Sequence, residues 1–114
     1  MTFEEIIQQL NSRQFKPVYF LHGEEPYYID RIVDHAAATI LGEGERDFNQ
    51  TIFYAKDTQP MAIVDTALRL PMMSEYQVVI VKEAQEYTKA TQWEQLEKYV
   101  DSPSNSTILI FAHK

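Results

Sequence analysis

The chain has 114 residues, which allows one domain with a single hydrophobic core. Hydrophobic residues make up 45% of it and charged residues 24%, as in ordinary globular domains. The formal net charge of −7 argues against a nucleic-acid-binding surface, because contacts to phosphates require a basic face. The sequence contains no cysteine, which excludes disulfides, thiolate metal sites and a cysteine nucleophile.

The start of the chain predicts where the protein resides. Residues 1–5 are acidic and lack the basic and apolar regions of a signal peptide. No apolar run in the sequence approaches the ~20 residues that a membrane-spanning helix needs. Both observations favour a cytoplasmic protein without a membrane partner.

Hydrophobic periodicity and turn residues predict four helices that alternate with four strands. The first helix begins after Thr2, which can form a capping box with Glu5. The other predicted helices span residues 27–41, 60–70 and 93–100, and Gly42 and Gly44 are expected to end the first of these. The predicted strands are residues 18–21, 48–54, 77–81 and 107–112. This alternation implies an α/β domain, a parallel sheet with helices on both faces.

The loop after the first strand, Gly23, Glu24 and Glu25, occupies the position of a phosphate-binding P-loop but lacks its functional groups. A P-loop surrounds phosphates with backbone N–H groups and adds a Lys-Ser/Thr pair at the start of the next helix. Here two carboxylates would repel a triphosphate, and Pro26 has no N–H to donate. The sequence therefore predicts a degenerate nucleotide loop, without ATP or another cofactor.

The end of the third strand supports the same interpretation. Active ATPases carry acidic residues there that hold Mg²⁺. Lys82 stands in the place of the metal-binding aspartate, and Glu83 has no phosphate to act on. His22 and His113 both end predicted strands and would be neighbours if the first and fourth strands pair, but a metal site needs further ligands. We therefore expect neither catalytic residues nor a metal site.

Several segments spread over the whole chain together resemble the amino-terminal part of delta subunits of the bacterial DNA polymerase III clamp loader. They are residues 17–26 (PVYFLHGEEP), 70–75 (LPMMSE), 78–84 (VVIVKEA), 96–100 (LEKYV) with Pro103, and the strand 107–111 (TILIF). No segment is specific by itself, whereas their order and spacing together are. Delta subunits are non-ATPase members of the AAA+ class, in agreement with the degenerate loop.

The resemblance implies a P-loop NTPase or AAA+-like fold, with an incomplete sheet of about four strands in the order 1-4-3-2. Delta subunits continue with the rest of the AAA+ module, a helical lid and a collar domain. We therefore expect residues 1–114 to be the amino-terminal portion of a longer chain. In this sheet order the first strand is an edge, and its apolar residues 18–21 predict weak homodimerisation.

The function that the resemblance implies is clamp opening in DNA replication, by a subunit that binds the sliding clamp without hydrolysing ATP. In the family, a hydrophobic motif after the third helix inserts into a pocket on the clamp. It maps here to Leu70, Pro71, Met72 and Met73, and flexible thioethers suit such a pocket. From the residues alone, the alternative is that the two methionines close the core at the base of the third strand.

Further partners follow from the same resemblance. Other clamp-loader subunits would be contacted through parts mostly missing here, and DNA only indirectly. The family belongs to the DNA polymerase III holoenzyme, a nucleotidyltransferase, although we expect no intrinsic catalysis from this chain. Two alternatives from other classes are a small P-loop-like enzyme, which would bind ATP, and a receiver-type signalling domain, which would need a phosphoacceptor after the third strand.

Overall fold

The structure is a computed structural model that describes residues 2–23 and 25–114. Its strands are β1 (Val18–His22), β2 (Gln50–Tyr54), β3 (Gln77–Lys82) and β4 (Thr107–His113). Its α-helices are α1 (Phe3–Asn11), α2 (Pro26–Thr39), α3 (Glu43–Asn49), α4 (Pro60–Ala67) and α5 (Ala90–Asp101). All strand pairs are parallel, in the order β1-β4-β3-β2. The predicted α/β class and strand order 1-4-3-2 are confirmed.

The central strands β3 and β4 are buried on both faces, which explains their uninterrupted apolar sequences. Successive side chains of a strand point to opposite faces, so each strand supplies two cores. One core joins the sheet to α1 and α2, and its residues from β3 and β4 are Val78, Ile80, Ile108, Ile110 and Ala112. The other joins the sheet to α4 and α5, and its strand residues are Val79, Val81, Leu109 and Phe111.

The capping box at the start of α1 forms as predicted. The Glu5 N–H donates to Thr2 Oγ1 at 3.2 Å, and the Thr2 N–H donates to the Glu5 carboxylate at 3.4 Å. Ile6 and Leu10 then pack on the sheet. In residues 2–23 and 25–114, none of the helices has the length and apolar character that crossing a bilayer requires.

Helix α3 is absent from the sequence-based prediction, which assigns Gly42 and Gly44 to a helix end and Phe48 to a strand. In the structure α2 ends at Thr39, and Gly42 is the N-cap of α3 with an extended backbone, φ −69° and ψ 163°. The Gly42 N–H donates to the Glu45 carboxylate at 2.9 Å. Glycine is accepted at an N-cap as well as after a helix, so its presence alone does not tell a stop from a start.

Strand β1 lies at one edge of the sheet and pairs only with β4. Val18 is the register partner of Leu109, and the Leu109 N–H donates to the Pro17 carbonyl at 3.0 Å. In a parallel ladder this places the backbone N–H and C=O of Val18, and of every second residue after it, on the open side. Phe20 is one of these residues, and 46% of it is exposed.

Candidate docking loop and degenerate nucleotide loop

The loop between α4 and β3, residues 68–76, is called the docking loop here and lies at the amino-terminal edge of the sheet. Its first part is fixed by two buried side chains, Gln77 and Thr107. Gln77 Nε2 donates toward the carbonyls of Thr66 and Arg69, each at 2.8 Å, and the Thr107 hydroxyl donates to the Ala67 carbonyl at 2.7 Å. These bonds satisfy carbonyls that the end of a helix leaves free, so α4 ends at Ala67 and not at the predicted residue 70.

The middle of the docking loop is fixed by Asn49, the last residue of α3. The Met72 N–H donates to Asn49 Oδ1 at 2.6 Å, and Asn49 Nδ2 donates to the Met72 carbonyl at 2.9 Å. Asn49 is only 3% exposed, and its Nδ2 also lies 3.0 Å from the Glu45 carbonyl. One buried amide therefore holds both backbone polar groups of Met72. Sequence reasoning missed Asn49, because no local pattern connects it to a residue 23 positions later.

Glu45 and Ser74 form another connection between α3 and the docking loop. Both line one small cavity beside Arg13. The nearby Ser74 hydroxyl, followed by the Gly42 N–H, holds the pKa of the Glu45 carboxyl below its usual value, because polar hydrogens beside its oxygens favour the ionised form. The docking loop is thus hydrogen-bonded to α3 at Met72 and lies beside α3 at Ser74.

The apolar side chains of this anchored loop point into solvent. Leu70 is 80% exposed, Met72 62% and Met73 101%, whereas Pro71 is partly buried. The two methionines therefore do not close the core, and that alternative from the sequence is wrong. Met73 also has a left-handed backbone with φ 58°, which is uncommon for a residue other than glycine, asparagine or aspartate. A rigid backbone with exposed apolar side chains is typical of a surface that binds a partner.

The degenerate nucleotide loop lies at the opposite, carboxyl-terminal edge of the sheet. Gly23 has a positive φ of 150°, and Glu25 is the exposed N-cap of α2 without a side-chain cap bond. Pro26 takes the first helical position, so it offers no N–H to an anion. Glu24 belongs to the predicted loop but lies outside the described residues. Within the described part, this edge presents a carboxylate where a P-loop presents backbone N–H groups.

Basic side chains at the ends of β3 and β4 lie where an ATPase needs a metal. Lys82 Nζ lies 5.9 Å from the centre of the Tyr54 ring, and Glu83 has a left-handed backbone with φ 56°. Lys114 Nζ lies 2.7 Å from Asp30 Oδ1 and 3.6 Å from Glu83 Oε1. The hydrogen bond to Asp30 raises the pKa of the Lys114 ammonium, which favours the charged form. The Lys114 ammonium thus lies beside the carboxylate of Glu83, the residue that directly follows β3.

His22 and His113 are register partners at the ends of β1 and β4, as expected if these strands pair. Phe20 lies near both rings, with centroid distances of 5.5 Å to each. Over residues 2–23 and 25–114, no cluster of three or more histidine or carboxylate side chains suited to a metal ion is found. The two histidines therefore form part of an aromatic cluster with Phe20.

Comparison with known proteins assigns the family. The family model for "DNA polymerase III, delta subunit" matches residues 19–114. The chain belongs to the DNA polymerase III delta subunit family. The match includes both loops described above, and it confirms the resemblance drawn from the sequence segments.

Individual relatives agree with this family. The DNA polymerase III subunit delta of Bacillus subtilis is 30% identical, in an alignment that covers 93% of this chain and 33% of that protein. The structure of the Bacillus subtilis DNA clamp loader delta protein superposes with a TM-score of 0.87 and 25% identity, over 98% of this chain and 35% of that one. This delta-family chain therefore spans about a third of the length of these relatives.

A more distant structure shows how general the fold is. A DNA polymerase III gamma subunit-related protein from Thermotoga maritima superposes with a TM-score of 0.68, over the whole of this chain and 40% of that one. At 11% identity this likeness concerns the fold alone. The delta-family chain thus has an AAA+-like fold whose two loops lie at opposite edges of one parallel sheet.

Proposed function

We propose that this chain is the clamp-binding portion of a clamp-loader delta subunit, in which Leu70, Pro71, Met72 and Met73 dock into an apolar pocket on the sliding clamp. Family membership supports the context of the clamp loader. The observation that carries the proposal is the combination at Met72 of a backbone held by a buried amide and a side chain that is 62% exposed.

The physical argument concerns the cost of binding. An apolar side chain on a mobile loop loses conformational entropy when it enters a pocket, which weakens affinity. Asn49 holds the backbone of Met72 and Gln77 holds the Arg69 carbonyl before a partner arrives, and Thr107 fixes the end of α4 from which the loop starts. Less backbone freedom then remains to be lost, and methionine can adapt its shape to the pocket. A few such anchors are enough to dominate the energy of an interface.

The proposed mechanism is a shift in the conformational equilibrium of the clamp. A ring-shaped partner has closed and open states, and a ligand favours the open state only by binding it more tightly. The docking loop would supply the attachment, and the end of α4 beside it would contact the clamp surface that differs between the two states. No covalent step is involved in this mechanism.

The carboxyl-terminal edge of the sheet supports the proposal that ATP is neither bound nor hydrolysed by this chain. Glu25 and Pro26 replace phosphate-binding N–H groups, and Lys82 replaces a metal ligand. Titration calorimetry with ATP and Mg²⁺ should therefore give no binding isotherm. A stoichiometric isotherm would favour the enzyme alternative.

The proposal is tested with immobilised sliding clamp and the purified chain. The double variant Met72→Ala, Met73→Ala should raise the Kd by about tenfold or more, as expected when interface anchors are truncated. Met61→Ala is the matched control, because Met61 is 48% exposed but lies in the first turn of α4, at the opposite edge of the sheet. Equal Kd values for the wild type and the double variant would remove the docking loop from the interface.

The remaining partner assignments belong to the same proposal. The relatives are about three times as long as this chain, so we propose that most contacts to other loader subunits are made by the additional length. DNA would be reached through the clamp and not directly, in agreement with the net charge of −7. Residues 1–114 would then form the amino-terminal portion of an AAA+-like domain.

A further inference from the structure

Phe48 is a large apolar residue that neither core accommodates. It lies in the last turn of α3 and is 70% exposed. Its neighbour Asn49 is buried and starts the connection to the docking loop. A single exposed phenylalanine is unremarkable by itself, so the argument depends on where its backbone is held.

The position of Phe48 relative to the docking loop is fixed by contacts on either side of it in the sequence. Asn49 exchanges hydrogen bonds of 2.6 Å and 2.9 Å with the Met72 backbone. Glu45 faces Ser74 of the same loop. Because residues three apart share a helix face, Phe48 lies on the same side of α3 as Glu45. The docking loop therefore borders the last turn of α3, the turn that carries Phe48.

The sheet register places both segments at the same edge. Gln50, the first residue of β2, pairs with Val78, the second residue of β3. Phe48 precedes Gln50 by two residues, and the exposed methionines precede β3 by four to five residues. The exposed Phe48, Met72 and Met73 of this edge thus come from two segments of the chain, α3 and the docking loop.

We propose that Phe48 is a second apolar anchor of the surface that binds the sliding clamp, beside Met72 and Met73. This inference rests on the proposed function and extends its surface to α3. Phenylalanine suits the role because it buries a large area and has only two side-chain torsions to restrict, and aromatic residues are enriched in interface cores.

The charges around Phe48 indicate which charges the clamp surface that binds it should carry. Asp47 is exposed beside Phe48, and the docking loop carries the exposed Arg69 and Glu75. Complementary charge across an interface requires basic groups on the clamp opposite Asp47 and Glu75 and an acidic group opposite Arg69, around an apolar depression. Binding should accordingly weaken as the salt concentration rises, since exposed charges are screened.

The test measures binding of immobilised sliding clamp by the wild-type chain, Phe48→Ala, Phe48→Leu and the double variant Met72→Ala, Met73→Ala. Phe48→Ala should raise the Kd about five- to tenfold, and Phe48→Leu should raise it less because much of the apolar area remains. Tyr27→Ala is the matched control, because Tyr27 is a 59% exposed aromatic residue at the opposite edge of the sheet. Thermal unfolding and the amide NMR signals of Met72 and Ser74 report whether the docking loop keeps its structure.

Each outcome decides the inference. An increased Kd for Phe48→Ala, with unchanged NMR signals and an unaffected Tyr27→Ala variant, supports Phe48 as an anchor. An unchanged Kd for Phe48→Ala beside a large loss in the methionine double variant overturns the inference and leaves the proposed function intact. A loss of clamp affinity in Phe48→Ala that coincides with shifted Met72 and Ser74 signals gives Phe48 a merely structural role. This outcome also overturns the inference. If the wild type does not bind the clamp, or the double variant binds as well as the wild type, the proposed function and this inference fail together.

Discussion

Gln77 and Thr107 are register partners at the first positions of β3 and β4, and their side chains together cap the end of α4. Gln77 Nε2 lies 2.9 Å from Thr107 Oγ1, and both groups donate to carbonyls of the segment that follows α4 or ends it. Both residues are buried, Gln77 at 6% and Thr107 at 0% exposure. The base of the docking loop is therefore attached to the two central strands of the sheet.

We predict that Thr107→Val destabilises the protein by about 1 kcal/mol, the usual net contribution of one hydrogen bond. Valine keeps the shape of threonine but cannot donate to the Ala67 carbonyl, which accepts from Thr107 at 2.7 Å and would keep only the longer 3.3 Å contact from Gln77 Nε2. Urea unfolding followed by circular dichroism measures the change in the free energy of unfolding. Thr91→Val, at an exposed position of α5, is the control and should change it little. Equal stability of the Thr107→Val variant and the wild type would contradict the capping role.

Asn49→Ala should both destabilise the protein and loosen the docking loop. Alanine leaves the Met72 N–H and C=O without the partners they have at 2.6 Å and 2.9 Å, so we expect a loss of about 1–3 kcal/mol. Hydrogen exchange of the Met72 amide should accelerate by more than the change in global stability explains, because the opening is local. Asn105→Ala, at an exposed turn residue, is the matched control. If the Met72 amide exchanges at the wild-type rate in Asn49→Ala, the amide does not hold the loop.

The Glu45 carboxylate predicts a stability that depends on pH. Folding lowers its pKa through the Ser74 hydroxyl and the Gly42 N–H, so the ionised form stabilises the folded state above the ordinary pKa of 4.5. This contribution is lost as the pH falls below 4.5 and through the lower pKa of the folded state. Glu45→Gln should therefore be less stable than the wild type near neutral pH and should differ from it less at low pH. Denaturant unfolding over this range measures the difference, and a gap that is independent of pH would contradict the prediction. Glu94→Gln on α5 controls for the loss of one negative charge.

Much of the fold could be predicted because its signals are local. The apolar runs of β3 and β4 and the Thr2–Glu5 capping box each need fewer than ten consecutive residues to be read, and all of them are present. Helix α3 could not be predicted, because Gly42 and Gly44 are compatible with a helix end as well as with a helix start. The choice between them is made by the Glu45 carboxylate that accepts from Gly42.

The candidate site, like the fold, was predictable from the sequence only in part. The resemblance to the delta family predicts Leu70, Pro71, Met72 and Met73 as the contact, and the structure leaves the two methionines exposed. The residues that hold them were missed, since Asn49 lies 23 positions from Met72 and Thr107 lies 40 positions from Ala67. Such long-range bonds form only when the sheet order brings the segments together. A single sequence without that order contains no periodic pattern that would reveal them.

The exposed edge of β1 predicts weak self-association of this chain. The backbone of Phe20 faces the open side, its side chain is 46% exposed, and the groove beside it is lined by Phe3 and Tyr28 together with polar residues. An unpaired apolar edge is a template for a strand from another copy, and a lysine on the edge blocks such pairing. Phe20→Lys should therefore abolish the increase of sedimentation coefficient with concentration that we expect for the wild type in analytical ultracentrifugation.

Ile52→Lys places the same charge on the opposite edge, in β2, where Ile52 is 42% exposed, and should leave that increase unchanged. A wild type that sediments as a monomer at every concentration would contradict the prediction, and an equal effect of both lysines would show that association does not depend on β1.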